Sequence, residues 1–250
     1  MSKKASGYHK RRMGLVYAIL AVVLIAASVV AACTVFFRVE TVTVEGNERY
    51  STEQILPVAG VEVGSNLILT PGDQIVQRIC DALPYVDTVE VKKSFPTTLR
   101  LVVHEAQPVA VVHTNDQLWI IDSKGRLLEL VDGALAVDYI DVEGVALVDP
   151  AQGQPAQVAP EDQIQLDGLL ALLTALEAKD QIAPITEIDA SSKTEIVAVY
   201  EGRIKVKFLI NADFARKIEV MKAVIAPMES WERGSLNLKG SERAFYSPDR

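Results

Sequence analysis

The sequence predicts an α+β protein with an N-terminal transmembrane helix, a small β-α-α-β-β domain, and a second, mixed α/β domain built on a mainly antiparallel sheet. Three observations predict it. No residue from Met13 to Phe37 is charged, which is the composition of a membrane helix. Directly after Arg38 the chain alternates β-branched and polar residues, and two helical patterns and two further alternating runs follow before Gln107. Beyond Gln107, period-two segments recur around two more stretches of helical periodicity.

The uncharged run is about 25 residues long, and at roughly 1.5 Å per residue it exceeds the roughly 30 Å hydrocarbon core of a bilayer. Lys3, Lys4, Lys10, Arg11 and Arg12 lie before it, with no acid among them. Such a cluster retains its end of the chain in the cytoplasm and sends the remainder across. Residues 1–13 are thus expected to be a basic cytoplasmic tail and 14–37 a single transmembrane helix. The whole chain carries a net charge of −8, so about −13 falls beyond the helix once the five tail cations are set aside. A surface of that sign suits solubility and excludes nucleic acid as a partner, because a phosphate backbone demands a basic face.

Val30-Ala31-Ala32-Cys33 matches the short pattern of a lipoprotein processing site. Two features argue against cleavage. The apolar run continues through Thr34-Val35-Phe36-Phe37, ending in an aromatic pair suited to the membrane interface, and the first strand follows within a few residues, leaving no flexible tether. An uncleaved anchor is expected, and so short a link holds the first domain against the membrane surface. Cys80 is the one other cysteine, so no disulfide framework or thiolate metal site is expected, and it reads as a small core hydrophobe.

Val39–Glu45 reads as a strand ended by the turn residues Gly46-Asn47. Ser51 opens a short helix reaching about Ala59, and a second helix from about Pro71 carries Ile75, Ile79 and Leu83 on one face, beside Val76 and Cys80. Pro84 stops it. Val86, Val89 and Val91 mark a strand, Lys92-Lys93-Ser94-Phe95-Pro96 a turn, and Leu99, Leu101 and Val103 a third strand.

Taken with Gly64-Ser65-Asn66-Leu67, Pro84-Tyr85-Val86, Phe95-Pro96-Thr97-Thr98-Leu99, and Glu105 followed by Pro108-Val109-Ala110, this segment resembles a POTRA domain of the type found in the FtsQ/DivIB family of bacterial division proteins. The POTRA domain is assigned to 38–107 and the family's β domain to 108–250. Leu118 to Leu128, with Asp122-Ser123-Lys124-Gly125 at its turn, resembles the hairpin that opens that β domain. A loop spans Ala146 to Pro160. A helix from about Glu161 to Lys179 follows, with Ile164, Leu169, Leu172, Leu173 and Leu176 on its apolar side. Strands are expected at Ile185–Asp189, Glu195–Tyr200 and Arg203–Leu209, a helix from Asp213 to about Met228, and two closing strands at 235–239 and 243–247.

The chain offers no nucleophile elbow, phosphate loop or zinc-protease motif. Gly60-Val61-Glu62-Val63-Gly64 has only the glycines of a phosphate loop. His104 and His113 sit in strand patterns without acids or cysteines at metal spacing, and His9 lies in the tail. Asp138, Asp141 and Glu143 lack the spacing of a calcium loop and read as a solvated loop. No enzyme, cofactor or metal is expected.

A binding role has better support. The last strand has no successor in the sequence, which makes it an edge, and a sheet edge accepts a peptide as one more strand. Phe245 and Tyr246 are adjacent, so their side chains point to opposite faces, one for the core and one for an interface. The resemblance implies the same place: in the family, the closing strand receives a segment of the FtsB/DivIC component, itself paired with FtsL. On this sequence that selects Arg243, Ala244, Phe245, Tyr246 and Ser247, with Leu236 and Leu238 in the strand beside them. Thr98–Val103 or Val39–Glu45 offers a second edge. The implied function is a non-enzymatic scaffold at the division septum, in the cell membrane, linking these partners to septal wall-synthesis enzymes. The competing readings are a POTRA-containing membrane or lipid-anchored protein of polypeptide transport or assembly, and an exported enzyme; neither tandem POTRA repeats nor barrel strands are present.

Overall fold

The structure, a computed structural model, describes residues 6–114, 117–132, 139–240 and 244–249. It separates into two compact units, Met1–Ile79 with Thr88–His104, and Cys80–Asp87 with Glu105–Arg250.

The first unit begins with α1 (Ser6–Phe36), an unbroken helix that runs through Cys33. Its stretch from Val16 to Phe36 is long and apolar enough to cross a membrane. Then come β1 (Thr41–Glu45), α2 (Thr52–Ala59), α3 (Gly72–Ala82), β2 (Val86–Ser94) and β3 (Thr98–Glu105), the expected β-α-α-β-β order. Ser51 caps α2, and its own N–H donates to the Gln54 side chain at 2.8 Å. Ile55 and Ala59 of α2 and Ile75 and Ile79 of α3 are buried, as are Leu99, Leu101 and Val103 of β3, so both periodicities point the apolar residues inward.

The sheet order is β1-β3-β2, with β1 parallel to β3. Two expectations are corrected. Lys92, Lys93 and Ser94 belong to β2 rather than to the turn, which is confined to residues 95–97. More consequentially, Thr98–Val103 lies in the central strand, flanked on both sides, so it offers no edge for a partner. Of the other expected edge, β1 does lie at the rim of this sheet, while Val39 just before it is engaged, giving its N–H to Ser65 and accepting from Gly64.

Among the described residues, the second unit holds nine strands in the order β12-β11-β10-β9-β8-β7-β4-β5-β6. They are β4 (Ala110–Thr114), β5 (Gln117–Ile121), β6 (Leu127–Val131), β7 (Ile140–Glu143), β8 (Ile185–Asp189), β9 (Glu195–Tyr200), β10 (Ile204–Leu209), β11 (Gly234–Asn237) and β12 (Phe245–Pro248). Most neighbours are antiparallel; β4–β7, β7–β8 and β10–β11 are parallel. The helices α4 (Gln163–Ala178) and α5 (Phe214–Ile225) contribute Leu166, Leu169, Leu172, Leu173, Leu176, Ile218, Met221 and Ile225 to the buried core. Asp213 caps α5, its side chain accepting from the N–H of Arg216 at 3.2 Å.

Ile164 departs from its expected place. It is exposed on the first turn of α4, before the buried stripe of that helix begins. The acidic segment around 141–143 is not a loop: Asp141 and Glu143 lie on β7 in the middle of the sheet, while Asp138 falls outside the described residues. Asp141 meets the imidazole of His113 across the parallel β4–β7 pair, so it is engaged with a cation-capable neighbour rather than with other acids.

Candidate binding edge

The nine-stranded sheet has two edges, and they differ. Along β6, the chain covers its own edge: Leu127 donates to the Gln154 carbonyl at 2.9 Å and accepts from Gly153 at 2.7 Å, and the Gln152 side chain reaches the Leu128 carbonyl. Along β12, no described backbone group bonds the outer side.

The register of β11 and β12 determines which groups face outward. Asp249 N–H bonds the Arg233 carbonyl at 3.0 Å, and the antiparallel register continues with Ser247 opposite Ser235 and Phe245 opposite Asn237. In an antiparallel ladder the bonded pairs alternate, so Phe245, Ser247 and Asp249 turn their backbone groups toward β11. Tyr246, opposite Leu236, turns its N–H and C=O to the open side. Pro248 is in the same outward phase. Its missing N–H is tolerated there and shortens the donor row that the edge presents.

The side chains follow the alternation in the opposite sense from a buried aromatic at 245. Phe245 is 61% exposed, whereas Tyr246 is half-buried against the core and its hydroxyl donates to the Arg233 carbonyl at 3.0 Å. Ala244 also packs on the core, and Ser247 is exposed. Leu236 and Leu238 are fully buried, so they lie under the edge and not on it. Arg243 falls outside the described residues. Gly234 opens β11 at a point where β12 comes very close: a Cβ there would collide with the Ser247 carbonyl and lie 2.9 Å from the Tyr246 ring.

Beside the end of β12 lies a cleft of about 490 Å³ lined by Trp231, Glu232, Arg233, Tyr246, Pro248 and Asp249. Trp231 is 75% exposed, although its loop is braced. The nearly buried Arg203 pairs with Glu201 at 2.8 Å and donates to the carbonyls of Glu229 and Glu232 at 3.1 and 3.2 Å. The sequence reading missed Trp231 and Pro248. The available signals were a tryptophan in a charged loop, with no apolar periodicity to bury it, and a proline in a strand that must then be an edge.

Elsewhere the sites considered from the sequence are dispersed. His104 pairs with Glu90 on the surface of the β2–β3 ladder, and among the described residues no three His, Cys, Asp or Glu side chains could hold a metal. Cys33 and Cys80 are both free thiols. Cys80 is half-buried rather than a full core residue, and burial pushes its thiol pKa up.

A β-α-α-β-β domain after an apolar helix of spanning length, continued by a sheet with an open edge at β12, defines a POTRA-type protein with a second sheet domain. Comparison with known proteins agrees and narrows it. Residues 37–106 match the family model described as POTRA domain, FtsQ-type. The chain is 25% identical over 212 residues to the cell division protein DivIB of Clostridium acetobutylicum, covering 85% of this chain and 83% of that one. It is 24% identical over 210 residues to the cell division protein FtsQ of Corynebacterium glutamicum, covering 84% and 83%. A shorter match, 34% over 99 residues, links it to FtsQ of Streptomyces griseus, covering 40% and 48%. The solved extracytoplasmic domain of DivIB from Geobacillus stearothermophilus overlaps 49% of this chain and 93% of its own, with 18% identity and a TM-score of 0.30. The chain thus carries an FtsQ-type POTRA domain and is similar along most of its length to the cell division proteins DivIB and FtsQ.

Proposed function

We propose that this protein is a non-enzymatic scaffold of the division septum that captures its partner by strand addition on β12. It sits in the cell membrane with the basic tail of residues 1–13 in the cytoplasm, α1 spanning the bilayer, and the POTRA domain (38–107) and β domain (108–250) outside. The partner is an FtsB/DivIC-type protein paired with an FtsL-type protein, and the assembly connects to septal peptidoglycan synthesis.

The observation that carries this reading is the unmatched outer side of β12, where Tyr246 presents a free N–H and C=O beside the exposed ring of Phe245. An incoming strand pairs with Tyr246, lays a side chain across Phe245, and directs its end toward the Trp231 cleft. Ala244, Phe245, Tyr246 and Ser247 are the contact residues, with Arg243 leading into them. Leu236 and Leu238 hold the edge from beneath. No catalytic group takes part.

Depletion of the protein followed by microscopy tests the cellular role. Filaments without completed septa are expected, and septa of normal form and spacing would sink it.

A further inference from the structure

The outer end of α1 is stitched to the loop between α2 and α3. Leu67 N–H donates to the Phe37 carbonyl at 2.8 Å, Val39 N–H to Ser65 at 2.9 Å, and Gly64 N–H to Val39 at 2.7 Å, while Arg38 bridges Asn66. The loop then folds back on itself: the Asn66 side chain accepts from the N–H groups of Ile68 and Leu69 at 2.9 and 3.3 Å. This turn leaves Leu69 77% exposed and Ile68 43% exposed, with Val63 at 74%. Phe95, also exposed, stands edge-on to Phe37 with ring centres 5.5 Å apart. Lys93 reaches over to donate to the Ile68 carbonyl at 2.8 Å. Four exposed apolar side chains gathered in one small domain call for an occupant.

We propose that Val63, Ile68, Leu69 and Phe95 are seated in the interfacial layer of the bilayer that α1 crosses, which fixes the POTRA domain on the lipid surface. This rests on reading α1 as a membrane span. Distance selects lipid over a polypeptide as the occupant. Phe37 closes the uncharged run, so its carbonyl marks the boundary between hydrocarbon and headgroups. Ile68 and Leu69 follow Leu67, whose N–H bonds that carbonyl, so the backbone of both lies within roughly 11 Å of it. The headgroup layer is itself roughly 5–8 Å thick, which leaves no room for a folded partner between loop and lipid. Lys93 donates to the Ile68 carbonyl within the patch, and the Arg38 guanidinium lies against the last turn of α1, donating to the Thr34 carbonyl at 3.2 Å, so both cations stand at the level of the lipid phosphates.

The test uses the full chain, with Cys33→Ala and Cys80→Ala, in vesicles of phosphatidylethanolamine and phosphatidylglycerol. An environment-sensitive fluorophore is attached at Leu69→Cys or, separately, at Val63→Cys, and quencher lipids carry a nitroxide at headgroup level or deep in the acyl chain. Both labels are expected to emit to the blue of a water-exposed label and to lose roughly half their emission to the shallow quencher, as interfacial side chains do. A label at Glu45→Cys, at the far end of β1, is expected to keep its emission. A label at Val23→Cys, in the middle of α1, reports the span through the deep quencher. If Val23 is quenched while Leu69 and Val63 read as water-exposed, the patch proposal is overturned and the span stands. If Val23 also reads as water-exposed, the span falls and the proposal falls with it.

Discussion

The hydroxyl of Tyr246 donates to the backbone carbonyl of Arg233 at 3.0 Å, tying the outermost strand of the sheet to the loop that carries Trp231. The bond is exposed, so Tyr246→Phe is expected to cost only about 0.5–1 kcal/mol of stability. Urea denaturation checks this. Because the outward backbone groups remain in place, partner affinity is expected to change less than about threefold; a larger fall would mean that the hydroxyl itself meets the partner.

Phe245 presents the complementary case. Its side chain is 61% exposed and contributes little to the fold, so Phe245→Ala is expected to move stability by about 0.5 kcal/mol or less. Under the proposed strand addition the ring serves as an aromatic anchor, and its loss is expected to weaken partner binding by tenfold or more, about 1.4 kcal/mol. Calorimetric titration of the partner into the purified chain separates the two effects. Equal binding by both chains would remove Phe245 from the site.

Gly168 lies in the buried face of α4, where an added Cβ would sit 2.5 Å from Cγ1 of Ile210 and 3.0 Å from its carbonyl oxygen. Replacing a helix-interior glycine by alanine ordinarily gains about 1 kcal/mol. Gly168→Ala is instead expected to be destabilising, by about 1–3 kcal/mol, from overpacking. The pair Gly168→Ala with Ile210→Ala measures the coupling, which a double-mutant cycle in urea reads as partial rescue.

Asp122 is buried at the β5–β6 turn, with Oδ1 accepting from the N–H groups of Lys124 and Arg126 at 2.9 and 2.8 Å. Burial pushes its carboxyl pKa up, and the two backbone bonds offset that only in part. The folded chain therefore holds this proton more tightly than the unfolded chain does, so the ionised form costs stability near neutral pH. That cost fades as pH falls through the folded pKa toward the unfolded one. Asp122→Asn keeps the acceptor oxygen without the charge. Thermal unfolding is expected to show the variant more stable than the parent at about pH 7, the gap closing near pH 3.5. A variant less stable at pH 7 would contradict this.

What was legible in the sequence was set locally. The uncharged run, the Val39–Glu45 alternation, and the stripes at Ile75 and Ile79 and at Ile218, Met221 and Ile225 are each local signals, and each gave the expected element, with both stripes buried. Pairing order is a long-range property, and there the reading failed. Thr98–Val103 became the central strand because β1 returns beside it in parallel, which no residue of β3 announces. The four residues of β7 read as an acidic loop because Ile140 and Val142 supply only two buried positions; neighbours on both sides make it a strand. For the candidate site, the alternation of Phe245 and Tyr246 was visible, but which ring faces solvent depends on the β11 register.

The proposed capture of a partner by the open edge of β12 is tested by comparing Tyr246→Pro with Tyr246→Ala in the full chain, titrated with the proposed FtsB/DivIC-type protein. Both variants lose the ring, but only proline also removes the outward N–H, which no strand of the sheet uses. Proline is expected to bind at least tenfold more weakly than alanine, with similar circular dichroism and melting temperature for the two. Equal affinity of the two variants, with both folded, would show that the partner does not add to this strand.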